Sequence, residues 1–165
     1  MMKPLLILCT IFAAASNFGA AQATVHMEPE NLKGPRVLED QTRTTVIRDY
    51  LQAWQGLHAA MEQNRPDLLS ADFVGTSKDK LADTIQQQAA LGIHTRYTDV
   101  SHDLQIVFYS PEWLSIEMTD KVEYDVEVLD HDKVTATQRV TARYVVVMTP
   151  AEVRWRVRVF QAVPD

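Results

Sequence analysis

The spacing of the hydrophobic residues changes once along this sequence, near residue 93, and that change constrains the fold more than any other feature. Before it, apolar residues recur at the 3.6-residue spacing of a helix. After it, they alternate with polar residues at a spacing of two, as in strands that bury one face and expose the other. The sequence therefore predicts an α+β domain in which N-terminal helices precede a single sheet.

A long amphipathic helix is predicted over about residues 37–64. Its apolar stripe consists of Val46, Ile47, Tyr50, Leu51, Trp54, Leu57, His58 and Met61. The helix is expected to end before Pro66, because the residue that precedes a proline disfavours the helical conformation. A short helix is predicted after Pro66. A third helix is predicted over about residues 77–91, with Ser77 as its N-cap and Gly92 after its end.

Four strands are predicted, and the turns between them are rich in Asp, Pro and Ser. They lie within residues 95–109 and at about 113–129, 134–148 and 153–163. Short connections between successive strands produce an antiparallel meander. Strands of this length must twist and bend. We therefore expect the helices to pack in the concave face of a curved, mostly antiparallel four-stranded sheet.

The first 23 residues are typical of a secretory signal peptide. Lys3 precedes an apolar stretch that is too short to span a bilayer, and Ala21-Gln22-Ala23 matches a small-residue cleavage pattern. We predict cleavage before Thr24, a flexible lead-in over residues 24–35, a single domain over residues 36–165 and a periplasmic location. After cleavage, no segment is expected to enter a membrane. The alternative is an N-terminal segment that is retained as an anchor.

The composition and the motifs exclude several functions. The formal net charge of −6 disfavours nucleic acid as a partner, because phosphate binding needs clustered Lys and Arg. The one cysteine, Cys9, lies in the signal peptide, so the mature chain has no thiol nucleophile and no disulfide. The sequence contains no Gly-rich phosphate loop, no G-x-S-x-G and no H-E-x-x-H. We predict no cofactor and no metal, and we assign no catalytic residue.

Four segments and their order carry a resemblance to a known family. They are Val46–Trp54 in the first helix, Asp67–Phe73 after it, and the closing strands Arg143–Met148 and Val153–Val157, with Trp155 early in the last strand. Over about residues 37–163 the chain resembles the NTF2-like (cystatin-like cone) superfamily. The resemblance implies a cone formed by helices against a curved sheet. It implies almost nothing about function, because one fold carries many functions.

Two departures from the enzymes of that superfamily bear on function. Enzymes of the ketosteroid-isomerase and SnoaL-like type usually have a strand pair with a catalytic Asp between the second and third helices, whereas here residues 73–77 run straight into a helix. The penultimate strand, Val140–Met148, also lacks a carboxylate. The resemblance therefore favours a non-catalytic domain of the bacterial envelope type, which binds an envelope protein or a small apolar ligand. The alternative is a small isomerase, dehydratase or hydrolase that acts on an apolar carbonyl compound.

Bulky residues that are expected to face the cone interior are the candidates for a ligand pocket. They are Tyr50, Trp54, His58, Trp113, Tyr124, Tyr144 and Trp155. The alternative is that they fill the cone as its core. The candidates for a general base, each of which could instead be a solvated loop or sheet residue, are Asp72, Asp99, Asp103, Glu117 and Asp125. His94, Asp99 and His102 lie close together in sequence, but their spacing matches no standard metal motif.

Charged residues alternate with the apolar ones along the last three strands. The candidates for a partner surface are Glu123, Asp125, Arg143, Arg154 and Arg156. A hairpin centred on residues 131–132 is expected to bring Glu123 near Arg139. The last hairpin is expected to place Arg154, Arg156 and Arg158 beside Val147, Val145 and Arg143. The alternatives are a solvated sheet face, a docking surface for another protein, and a homodimer through the sheet.

Overall fold

The computed structural model of the chain describes residues 22–164. Its elements are β1 (Thr24–Met27), α1 (Asp40–Gln63), a 3-10 helix (Pro66–Ala71), α2 (Gly75–Ala90), β2 (Ile93–Tyr109), β3 (Ile116–Asp130), β4 (Lys133–Pro150) and β5 (Trp155–Val163). All but the last two residues of the predicted signal peptide lie outside the described residues. Within residues 22–164, no helix is both long and apolar enough to cross a bilayer.

The five strands form one sheet and lie side by side in chain order. The pairs from β2 to β5 are antiparallel, as the meander predicted, whereas β1 is parallel to β2. Register shifts interrupt each of the three antiparallel ladders. Such bulges bend a strand and increase its twist. The predicted fold class, helices followed by a curved and mostly antiparallel sheet, is therefore confirmed.

The sheet has one strand more than predicted, because β1 lies in the segment that was predicted to be a flexible lead-in. Thr24–Met27 pairs in parallel with residues 101–104 of β2. Beyond β1, the backbone N–H of Glu28 donates to Leu104 and that of Lys33 donates to Val107. All four side chains of β1 are exposed. Backbone hydrogen bonds therefore hold this strand, and the alternation of Val25 and Met27 with polar residues is too short to identify a strand from the sequence.

The core lies between α1 and the inner face of the sheet. The predicted stripe of α1 is buried at Val46, Tyr50, Trp54, Leu57 and Met61. The strands contribute Leu104, Ile106, Ile116, Met118, Val122, Val146, Met148 and Val157. Removal of this apolar surface from water is the main force that favours folding.

The chain between the 3-10 helix and α2 covers the outer edge of β5. The N–H of Val157 donates to the carbonyl of Asp72 over 2.8 Å, and the N–H of Val74 donates to the carbonyl of Val157 over 3.0 Å. Ser77, the predicted N-cap, lies inside the first turn of α2, and its hydroxyl donates to the same Val157 carbonyl over 2.8 Å. These contacts fix the helices against the last strand.

The predicted register of the last hairpin is wrong. β4 continues to Pro150 and β5 begins at Trp155, so the connection spans residues 151–154 rather than 149–152. Arg156 therefore lies opposite Thr149 rather than beside Val145. The apolar pattern predicts which face of each strand is buried but not the exact position of the turn between two strands.

Candidate functional site

The inner face of the sheet carries ionisable side chains among its apolar ones. Asp120 lies on β3 between the buried residues Met118 and Val122, and its exposed fraction is 0%. His102 lies on β2 next in phase to Leu104 and is 1% exposed. Burying a charge is costly unless the charge is paired and hydrogen-bonded. The partners of these two side chains therefore decide what the site can do.

Asp120 accepts hydrogen bonds from two different elements. The hydroxyl of Tyr50 on α1 donates to Oδ2 of Asp120 over 2.7 Å. Nδ1 of His102 lies 2.8 Å from the same oxygen. Burial, together with the charge of Asp120, raises the pKa of Tyr50 well above its usual value. Tyr50 therefore remains a protonated donor, and His102 supplies the charge that compensates Asp120.

A second carboxylate, Asp99, meets two imidazoles. Its Oδ2 lies 3.6 Å from Nε2 of His102, and its Oδ1 lies 3.2 Å from Nε2 of His58 on α1. Residues three apart in a regular strand point to opposite faces. The register shift between Asp99 and Ser101 removes this obstacle and brings both Asp99 and His102 to the inner face.

The charges of this cluster follow from competing effects. Burial disfavours the ionised form of Asp99, but the contacts with His102 and His58 outweigh it and lower the pKa of Asp99 to about 2. Burial likewise disfavours the charged form of His102, but Asp120 and Asp99 outweigh it and raise the pKa of His102 to about 9. At neutral pH, His102 is therefore an imidazolium held between two carboxylates.

The Asp99 end of this side-chain cluster borders an open cleft of about 710 Å³ between β1, α1 and β2. Its apolar lining residues are Ala23, Val25, Leu51 and Tyr97, its neutral polar ones are Gln22, Gln52, Gln55 and Thr98, and its ionisable ones are His58, Asp99 and His102. Gln22 and Ala23 belong to the predicted signal peptide, so the other nine residues line the cleft of the mature chain. The cleft therefore combines apolar surface with a few polar groups, which is the usual make-up of a small-molecule site.

His58 and Asp99 face each other with unused hydrogen-bonding capacity. Nε2 of His58 and Oδ1 of Asp99 are buried, and neither makes a well-formed hydrogen bond with any residue in the described part of the chain. The ring of His58 stacks on Tyr97, with centroids 5.5 Å apart and planes at 8°. A turn of the His58 ring away from Tyr97 would open the pair to the cleft.

Four of the predicted pocket residues face the interior but fill it. Trp54 is 3% exposed, and the rings of Tyr124 and Tyr144 lie 6.0 and 5.7 Å from its own. Tyr144 also stacks on Phe160 at 4.5 Å. The fourth, Tyr50, is fully buried. These aromatic rings close the centre of the cone, so the open volume lies to one side, where His58 is.

The prediction that Trp113 faces the interior is wrong. Trp113 lies in the turn between β2 and β3, has φ 66° and is 59% exposed. The guanidinium of Arg36 lies 4.3 Å from the centroid of its ring. Strand alternation does not continue through a turn, so it could not place this side chain. Trp155 is half-buried at the margin of the core, and its backbone N–H donates to Oδ2 of Asp49 over 2.8 Å.

Part of the predicted partner surface is present on the outer face of the sheet. Arg139 lies 3.2 Å from a carboxylate oxygen of Glu123 and 2.8 Å from one of Asp125, as the hairpin prediction required. Arg143 is exposed and lies opposite Lys121. The two acids therefore share one arginine within the chain.

The two remaining residues of the predicted partner surface, Arg154 and Arg156, are only partly exposed. Arg154 pairs over 2.9 Å with Asp72, which is 4% exposed. Arg156 is half-buried, and its Nε finds no hydrogen-bond partner within residues 22–164. Asp72, considered above as a general base, thus serves as the buried partner of an arginine. The five predicted residues do not form one continuous charged patch.

No three His, Cys, Asp or Glu side chains in the described part of the chain are arranged to hold a metal ion.

Two further candidates for a general base, Asp103 and Glu117, lie on the outer side of the sheet. Asp103 of β2 is opposite Lys121 of β3, and Glu117 of β3 is opposite Val147 of β4. These positions belong to the outer face, so neither acid reaches the cleft.

Sequence reasoning missed Asp120. It considered the penultimate strand, which carries no inner carboxylate, whereas the buried acid lies on the strand before it. The signal was present: Ile116, Met118, Val122 and Tyr124 alternate in one phase, and Asp120 occupies the middle of that phase. A carboxylate in the apolar phase of a strand predicts a buried, paired charge.

No protein-family model matches this sequence, and no curated protein matches it. Solved structures do match. The intermembrane-space region of the chloroplast protein ARC6 is 15% identical, with 79% of this chain and 100% of that chain covered and a TM-score of 0.61. A proposed scytalone dehydratase from Novosphingobium aromaticivorans is 13% identical, with 76% and 89% covered and a TM-score of 0.53.

A third match is a proposed dehydratase of the NTF2-like family from Streptomyces avermitilis. It is 13% identical, with 74% of this chain and 98% of that chain covered and a TM-score of 0.48. At such identities a likeness shows the fold alone. The chain has an NTF2-like fold, as the resemblance of its sequence implied.

Proposed function

We propose that this chain is a periplasmic protein that binds a small, largely apolar ligand in the cleft between β1, α1 and β2. The observation that carries the proposal is that the cluster of buried ionisable side chains borders an open cleft, which is lined by His58, Asp99 and His102. The periplasmic location rests on the signal-peptide pattern of the first 23 residues.

The shape of the interior supports this choice of site. The centre of the cone is filled by aromatic rings around Trp54, so a ligand cannot lie there without displacing the core. The cleft of about 710 Å³ has room for a small molecule. Leu51 and Tyr97 offer it apolar contact, and Gln52 and Thr98 offer hydrogen bonds.

A protein partner on the outer face of the sheet has less support. Glu123 and Asp125 are paired with Arg139, and Arg154 is paired with Asp72. An envelope partner and a homodimer through the sheet stay predictions.

One observation favours a second candidate, a general acid–base enzyme. Oδ1 of Asp99 lies 3.2 Å from Nε2 of His58, and Asp99 is itself held by His102. A carboxylate beside one imidazole nitrogen orients the ring, so the other nitrogen can exchange a proton with a bound molecule. The Asp–His pair is thus arranged for proton abstraction next to a carbonyl group.

Cyclohexanol, a neutral ring with one hydroxyl, is a suitable probe of the cleft. We expect millimolar cyclohexanol to shift the amide NMR signals of Val25, Tyr97 and Thr98, because these residues line the cleft. Leu51→Trp fills the cleft and should abolish the shifts. Leu91→Trp is the control, because Leu91 is 76% exposed and lies after α2, away from the cleft. Shifts elsewhere, or none at all, would refute the proposed site.

The enzyme candidate is separated from simple binding by cyclohexanone in deuterated buffer. A general base in the cleft would accelerate exchange of the protons next to the carbonyl by about 10²–10⁴-fold. His58→Gln should then return the exchange to the buffer rate. A binding protein without catalysis leaves the exchange at the buffer rate in both proteins, which is the result we expect for the leading proposal.

A further inference from the structure

Two carboxylates and one imidazolium lie at the cleft or directly behind its lining. Asp99 and Asp120 are the carboxylates, and the imidazolium of His102 lies between them, so these three groups together carry a net charge of −1. The residues that line the cleft in the described part of the chain include no Lys and no Arg. Asp99 therefore shares the positive charge of His102 with Asp120 and has no Lys or Arg beside it in the lining.

One carboxylate oxygen of Asp99 has an incomplete set of hydrogen bonds. The side chain of Asp99 is 6% exposed, and its Oδ1, which lies 3.2 Å from Nε2 of His58, makes no well-formed hydrogen bond within residues 22–164. The other oxygen, Oδ2, is the one nearer to His102. An unsatisfied buried carboxylate oxygen costs free energy that a donor supplied by a ligand would recover.

The rest of the lining fits the same ligand chemistry. The ring of Tyr97, one face of which stacks on His58, lines the cleft together with Asp99, and the face of a tyrosine ring attracts a cation. Leu51 and Val25 supply apolar contact on other parts of the lining. A carboxylate-bearing ligand would meet the charge of Asp99 at close range and would lose its own hydration without compensation.

We infer that the ligand of this cleft is a small organic cation, an amine on an apolar body, whose ammonium group is drawn to Asp99. This inference rests on the proposed function, since it names the ligand class of the same site. Electrostatic complementarity of this kind selects among ligands of equal shape by their charge.

Three probes with the same ring and different charges test the inference. They are cyclohexylamine, which is protonated at neutral pH, cyclohexanol and cyclohexanecarboxylate. We expect cyclohexylamine to bind about tenfold more tightly than cyclohexanol, and the carboxylate to bind most weakly, because the charge of Asp99 acts in a partly buried site of low effective dielectric. The dissociation constants are measured by NMR titration of the cleft amides at one ionic strength.

Asp99→Asn should remove the preference for the amine, so that cyclohexylamine and cyclohexanol bind with similar affinity. The matched control is Asp125→Asn, which removes a carboxylate on the outer face and should leave the preference unchanged. The ratio of two affinities is the readout, so partial unfolding of a variant lowers both values and does not mimic the effect. The comparison of the three probes on the wild-type protein tests the charge preference without the use of any variant.

The outcomes separate the two proposals. If none of the three probes binds in the cleft, the proposed function fails. If the probes bind with equal affinity, or the carboxylate binds best, the cleft is a ligand site but the inference about a cation is overturned. If the preference for the amine persists in Asp99→Asn, another group creates it, and the assignment to Asp99 is overturned.

Discussion

Replacement of Asp120 by asparagine is expected to lower the free energy of unfolding by about 3–5 kcal/mol, the usual cost of removing one partner from a buried ion pair. The side chain of Asp120 is fully buried, and Nδ1 of His102 lies 2.8 Å from it. The amide keeps the shape of the carboxyl group but not its charge. His102 must then either hold its proton with less compensation or give it up in an apolar interior.

The measurement is urea denaturation followed by circular dichroism at pH 7. Asp125→Asn is the matched control, since it makes the same chemical change on the same strand but breaks an exposed pair with Arg139. Exposed pairs contribute at most about 1 kcal/mol. Equal stability of the two variants would mean that the buried pair contributes no more than a surface pair, contrary to the expectation.

The stability of the protein is expected to decline by about 3 kcal/mol between pH 6.5 and 9 through His102 alone, at 1.36 kcal/mol per pKa unit. Burial opposes the charge on His102, but Asp120 and Asp99 outweigh it and raise its pKa from the ordinary 6.5 to about 9. The folded protein thus holds this proton more tightly than the unfolded chain. The contribution is complete below pH 6.5 and is lost as the pH rises through 9.

Asp99 acts in the opposite direction. Its pKa is lowered from 3.8 to about 2, so its contribution is complete above pH 3.8 and is lost as the pH falls through 2.

The variant His102→Gln tests the alkaline effect. Its free energy of unfolding should not decline between pH 6.5 and 9, although the variant is less stable than wild type throughout. His131→Gln is the control, because His131 is 92% exposed in a turn. A decline of equal slope in His102→Gln would assign it to other groups.

The order of helices and strands could be predicted because burial of one face of a helix or strand places apolar residues at a regular spacing in the sequence. The stripe through Val46, Tyr50 and Trp54 and the alternation through Met118 and Val122 each report a buried face. The strand β1 has only four residues, all with exposed side chains, and its backbone pairing with β2 holds it in place. Its two apolar residues, Val25 and Met27, are too few to establish a period in the sequence.

The candidate site could be predicted only in pieces. His58 stood out as a polar residue on an apolar stripe, and Asp99 and His102 stood out as neighbours in sequence. Their meeting depends on the bulge that follows Asp99 and on the placement of α1 over β2, and both are properties of the tertiary structure. The hydrophobic pattern specifies which face of an element is buried but not which positions of two elements meet.

The hydrogen bond between Tyr50 and Asp120 joins α1 to β3 inside an apolar core. Apolar packing alone tolerates small slides of a helix across a sheet, because a side chain that leaves one apolar neighbour meets another. A slide of one helical turn, about 5.4 Å, would leave a hydroxyl and a carboxylate buried without each other. Together with the hydrogen bond that the backbone N–H of Trp155 donates to Asp49 of α1, this bond fixes the position of α1 along the strands, and with it the distance from His58 to Asp99 that shapes the cleft.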